Sequence, residues 1–70
     1  MRSVVINREP VELYKILKFE GLVDSGAQAK SVIADGLVLV NGEVETWKRR
    51  KILGGDIVKF AGEELQLKLC

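Results

Sequence analysis

The stretch SGAQAKSVIADGLVLVNGEVETWKRRK, Ser25 to Lys51, decides how this chain folds. Ser25 reads as the N-cap of a helix, and Gln28 three residues later completes a capping box. Together they supply partners for backbone N–H groups that a first helical turn leaves unpaired. Ala29, Val32 and Ile33 form the apolar stripe of this helix, and Gly36 ends it after Asp35. Leu37 to Glu45 then reads as a hairpin about Asn41-Gly42, a pair suited to the positive φ angles of a type I′ turn. A two-residue turn sets Leu39 opposite Val44 and Val40 opposite Glu43. Leu37, Leu39 and Val44 are expected on the buried face, with Glu43 and Glu45 outward. The stretch closes on four consecutive cations, Lys48-Arg49-Arg50-Lys51.

On the N-terminal side, Ser3 to Ile6 is a short β-like opening. Glu9-Pro10 predicts a helix start with Pro10 at the first helical position, where its missing N–H costs nothing. Leu13, Ile16 and Leu17 share one face of that helix, Lys15 and Lys18 project from the other, and Gly21 stops it. Leu22-Val23 is expected to fold back onto the core. On the C-terminal side Thr46 to Leu53 is irregular and Gly54-Gly55-Asp56 is a turn. Ile57 to Phe60 and Glu64 to Leu69 form a last hairpin about Ala61-Gly62, in which Lys59 faces Glu64 and Val58 faces Leu65. The fold class is α+β: two helices packed on a small, mostly antiparallel sheet, in one domain spanning residues 1–70.

Seventy residues and 47% hydrophobic content allow one small core and argue against disorder. Eleven Lys and Arg stand against ten Asp and Glu, a formal charge of +1, so bulk charge does not nominate a polyanion partner. Placement must do so, since charges farther apart than about 8 Å are screened at physiological salt. The single cysteine, Cys70, forms no internal disulfide, which fits a reducing cytoplasm. No apolar run is long enough for a membrane span, and no export signal is evident.

Catalysis has little to work with. The chain has no His, its one thiol is terminal, and Ser25 has a capping role but no candidate base. No metal site, cofactor or small-molecule substrate is expected, because no ligand spacing or phosphate-binding loop is present. The basic run is the strongest local signal. Extended, it would place four charges over about 10–13 Å with alternating sides. It reads either as a phosphate-binding track or as a solvated edge that blocks aggregation. Lys15, Lys18 and Lys30 join it only if the fold gathers them, and Glu12 can partly neutralise Lys15 at i,i+3. Ser25, Gln28 and the open amides of the second helix start offer donors to a phosphate, although capping alone explains Ser25. Asn41 is required by the turn. Trp47 adjoins the cations and can stack on an unpaired base, yet burial is the expectation for a lone Trp, as for Tyr14 and Phe19.

The order of these pieces resembles the S4 RNA-binding domain, also called the αL motif. Its pattern is a helix ending in Gly-Leu, a Ser-opened helix carrying Ala and a cation, and a strand with Val-Asn-Gly. Here these are Leu17 to Leu22, Ser25 to Lys30 and Val38 to Gly42, followed by a matching Gly55-Asp56-Ile57-Val58. The chain also resembles the small stand-alone bacterial YbcJ-like proteins, which share Ser-Gly-Ala-Gln-Ala-Lys and a basic run after the hairpin. The chain departs from many members in Glu12, where they have Arg, and in Gly26-Ala27, where they have basic residues. Gly26 and Ala27 are instead expected to permit close approach of a ligand to the helix backbone. The resemblance implies binding of structured RNA, ribosomal or transfer RNA, by a monomer beside or within a ribosomal assembly. The implied surface includes Ser25, Gln28, Lys30, Asn41 and Gly42. To it the residue reading adds Lys15, Lys18, Lys48, Arg49, Arg50 and Lys51. The competing expectation is a protein-interaction module using a sheet edge or the light face of the second helix.

Overall fold

The structure, a computed structural model, describes residues 2–70. The strands are β1 (Arg2–Ile6), β2 (Val11–Glu12), β3 (Val38–Val40), β4 (Glu43–Val44), β5 (Lys51–Ile52), β6 (Ile57–Phe60) and β7 (Glu63–Leu69). Two helices, α1 (Leu13–Phe19) and α2 (Gly26–Ala34), lie between β2 and β3. Five strands make one sheet in the order β1-β7-β6-β3-β4, while β2 and β5 pair separately as an antiparallel ribbon. Only β1 and β7 run parallel. The architecture is α+β, with two helices on a mostly antiparallel sheet.

One face of the sheet carries the core. Val40 pairs with Val58, Val58 with Leu65, and Val4 with Leu67, so the buried side chains form rows across four strands. Leu13, Ile16 and Leu17 of α1 and Ala29 and Ile33 of α2 close on these rows, and Ile52 is brought in by the ribbon. Both helices end alike. The Leu22 N–H reaches the Leu17 carbonyl and Gly21 reaches Lys18; Leu37 reaches Val32 and Gly36 reaches Ile33. Each is a Schellman closure, and Gly21 and Gly36 hold its left-handed position at φ 73° and 76°. Val23 then returns to the core, as expected.

Both hairpin registers agree with the sequence. Leu39 faces Val44, Val40 faces Glu43, Val58 faces Leu65 and Lys59 faces Glu64. The buried face of the first hairpin is the opposite of the one expected. Val38 and Val40 are buried, whereas Leu37 and Val44 are 56% and 60% exposed. The reason is alternation: four apolar residues in a row, Leu37 to Val40, supply an apolar set to each face, and the helices cover the valine set.

The first helix also begins later than expected. Pro10 precedes β2, and α1 opens at Leu13 with no side-chain cap from Glu12. Its first amides find partners far along the chain: Leu13 N–H donates to the Arg50 carbonyl at 2.9 Å and Tyr14 N–H to the Lys48 carbonyl at 3.2 Å. The basic segment thus acts as the N-terminal cap of α1 through its backbone.

Candidate nucleic-acid interface

That capping contact determines where the cations go. Carbonyls of Lys48 and Arg50 turn toward α1, and Arg50 N–H closes a tight turn onto the Trp47 carbonyl at 3.1 Å. The run is therefore a turn leading into β5, within the stretch expected to be irregular, and does not form an extended track. Cross-strand pairing of Glu12 with Lys51 and Val11 with Ile52 fastens its far end beside α1. The four cations consequently take separate positions. Arg49 reaches Glu12 at 3.0 Å, and half-buried Arg50 turns back to Glu45 at 2.6 Å. Lys48 and Lys51 are exposed and make no ion pair among the described residues.

Three cations converge on Tyr14. The Lys30 ammonium lies 4.8 Å from the ring centroid, Lys15 5.9 Å and the Arg49 guanidinium carbon 6.0 Å. They come from α1, α2 and the basic turn, so no local pattern in the sequence joins them. Their shared attraction is the negative face of the ring. Half-buried Tyr14 is thus a platform, with part of its ring packed on the core. Glu12 lies at the same place, 3.2 Å from Lys15 and 3.0 Å from Arg49. The hydrogen bond from Lys15, and then Arg49, holds its carboxyl below the ordinary value of 4.5 against a partial opposing effect of desolvation. Arg50, and then the Trp47 N–H, do the same to Glu45. The i,i+3 pairing of Glu12 with Lys15 is as expected; its link to Arg49, 37 residues away, has no local signal.

The start of α2 adjoins this cluster. The Ser25 hydroxyl accepts the Gln28 N–H at 3.1 Å, and the Gln28 side chain accepts the Asp24 N–H at 2.7 Å. The box therefore closes one residue earlier than the usual pattern. Gly26 and Ala27 keep open amides among the described residues. A Cβ on Gly26 would meet only the Tyr14 ring edge, at 3.9 Å.

Other nominated residues lie apart from that centre. Lys18 is exposed on α1 one turn beyond Tyr14. Asn41 has its amide engaged: Nδ2 donates to Asp56 at 3.0 Å and Oδ1 accepts the Ile57 N–H at 2.9 Å. With Gly42 it forms the expected turn, at φ 53° and 85°. Trp47 and Phe19, expected in the core, are 57% and 71% exposed. Trp47 sits on the loop after the two-residue edge strand β4, and Phe19 is the last residue of α1, past its core-facing turn.

The family model for the S4 domain matches residues 4–68. The chain belongs to the S4 domain family. It is 50% identical over 68 residues to YbcJ of Escherichia coli (strain K12), a candidate RNA-binding protein, covering 96% of this chain and 97% of YbcJ. It is 34% identical over 59 residues to RlbA of Bacillus subtilis (strain 168), a candidate ribosome maturation protein, covering 84% and 83% of the two chains. The solution structure of E. coli YbcJ, described as having an αL motif involved in RNA binding, superposes with a TM-score of 0.74. That comparison has 49% identity and covers 97% of this chain and 87% of the other.

Proposed function

We propose that this S4-family protein is a non-catalytic RNA-binding protein that recognises structured RNA, ribosomal or transfer RNA, through phosphate contacts. The observation that carries this reading is the gathering of Lys15, Lys30 and Arg49 about Tyr14, beside the open amides of Gly26 and Ala27. Three side-chain charges and two backbone donors suit a phosphate backbone, which is read by position and charge. Lys18, Lys48 and Lys51 extend the surface on either side. Ser25 and Gln28 shape the helix start, and Asn41-Gly42 sets the hairpin that precedes the basic turn. The RNA-binding description of YbcJ and the ribosome maturation description of RlbA support RNA as ligand and the ribosome as its setting. The protein acts as a monomer in the cytoplasm.

The test is binding of a panel of ribosomal and transfer RNA hairpins to K30A, R49A and the control K59A, with folding followed by circular dichroism. Lys59 is on the sheet face away from the helices, so its loss leaves binding unchanged. K30A and R49A each weaken binding to all RNAs and flatten the log–log salt slope by about 1. Equal binding by all three variants would overturn the reading.

One observation favours a second reading, a protein-interaction module. Exposed Leu37 and Val44, with half-buried Leu39 opposite Val44, form an apolar end of the open sheet face. That reading expects V44K to abolish assembly with a protein partner while K30A and R49A leave it intact.

A further inference from the structure

Behind the Tyr14 cluster a groove of about 910 Å³ runs along α1 toward the edge strand β1. Its lining is amphiphilic in a particular way. Phe19 stands in it 71% exposed on α1 with Lys15 and Lys18, and Arg8, Pro10 and Tyr14 also line it. Arg8 and Lys18 make no ion pair among the described residues, and the one acidic side chain lining the groove among them, Glu12, is engaged by Lys15 and Arg49. An aromatic ring in a cationic groove matches the chemistry by which unpaired nucleotides are held: a π-face for the base and charges for its phosphates. Tyr14, Lys15 and Gly26 belong to both the groove and the phosphate cluster, so the two surfaces are continuous. The volume lies within the usual range for small-ligand sites, about 300–1,000 Å³.

We propose that this groove receives one unpaired nucleotide of the bound RNA, its base stacked on Phe19 and its phosphate held by Arg8, Lys15 and Lys18. The proposal rests on the RNA-binding reading and gives it a preference: RNA with a bulged nucleotide beside a helix binds more tightly than the same helix fully paired. Phe19 supplies the stacking, and its exposure means that its replacement does not disturb the core. Cys70, the only thiol in the chain, lines the groove and is exposed, so it reports occupancy without an added label.

The experiment measures affinities of two RNA hairpins, identical except for one bulged nucleotide, for the full chain and for F19A and K30A. Iodoacetamide modification of Cys70 is followed in parallel. The bulged hairpin is expected to bind wild type roughly tenfold more tightly and to slow Cys70 modification. F19A is expected to erase the preference while keeping the affinity for the paired hairpin; K30A weakens both hairpins. If both hairpins bind wild type equally, or F19A weakens both alike, the groove proposal is overturned while the RNA reading stands. If neither hairpin binds, both readings fall. A further arm titrates an extended peptide of alternating Leu and Glu, suited to the β1 edge and the same cations. Protection of Cys70 by this peptide and not by RNA overturns the proposal in favour of a polypeptide occupant.

Discussion

Glu12 occupies the centre of the cation cluster, within 3.2 Å of Lys15 and 3.0 Å of Arg49. It orients two side chains that a phosphate would also claim, and so competes with the proposed ligand. E12Q is therefore expected to bind structured RNA more tightly at low salt, by roughly threefold, the scale of an exposed ion pair. Fluorescence anisotropy of a labelled hairpin measures this, and unchanged or weaker binding would show that orientation outweighs competition. Glu12 and Glu45 also tie stability to pH. Their folded-state values lie below 4.5, so each contributes stability that is fully present above that pH and lost as pH falls through the lowered value. The double variant E12Q/E45Q should lose less thermal stability than wild type between neutral pH and the acid side of that window. Ser25 has a simpler part. Its hydroxyl caps the Gln28 amide, and S25A should lower unfolding stability by about 1 kcal/mol in urea titration.

The hairpins show what local chemistry determines in this chain. Asn41-Gly42 and Ala61-Gly62 each form a two-residue turn, and each turn dictates the pairing of every residue that follows. Those registers, both helix stops and the Ser25 cap were legible in the sequence, because each depends on residues within a few positions. Which face of β3 is covered was not legible, since Leu37 and Leu39 are as apolar as Val38 and Val40. The late start of α1 was hidden for another reason. Its capping carbonyls come from Lys48 and Arg50, and its preceding residues pair with β5. The candidate site divides in the same way. Lys15, Lys30 and Arg49 could each be nominated as cations, but Tyr14 as their meeting point depends on three separate elements. A further lock sits at the first hairpin, where Asn41 bonds Asp56 and the Ile57 amide while Asp56 accepts the Leu53 N–H. N41A and D56A should each destabilise by about 1–2 kcal/mol. Because they share a bond, the double variant should fall short of their sum by at least about 0.5 kcal/mol. Additive losses in urea denaturation would contradict that account of the hairpin.

At the scale of the molecule, the charge of +1 conceals an uneven distribution. Lys59 stands opposite Glu64 in the strand register on the open sheet face, whereas Lys15, Lys30 and Arg49 gather on the helix side. One backbone arrangement maintains this: the basic turn caps α1, α1 carries Tyr14, and the start of α2 lies against the ring. The cation cluster, the proposed phosphate site, is therefore a product of tertiary structure, and its members meet only in the folded chain. The proposed RNA binding requires these charges to act as one surface, and the salt dependence of RNA affinity tests it most directly. With about four phosphates engaged, log K should fall with log salt at a slope of roughly −3, and K15A/K30A/R49A should reduce that slope to about −1 while retaining the wild-type circular dichroism spectrum. A flat slope in wild type, or an unchanged slope in the triple variant, would contradict it.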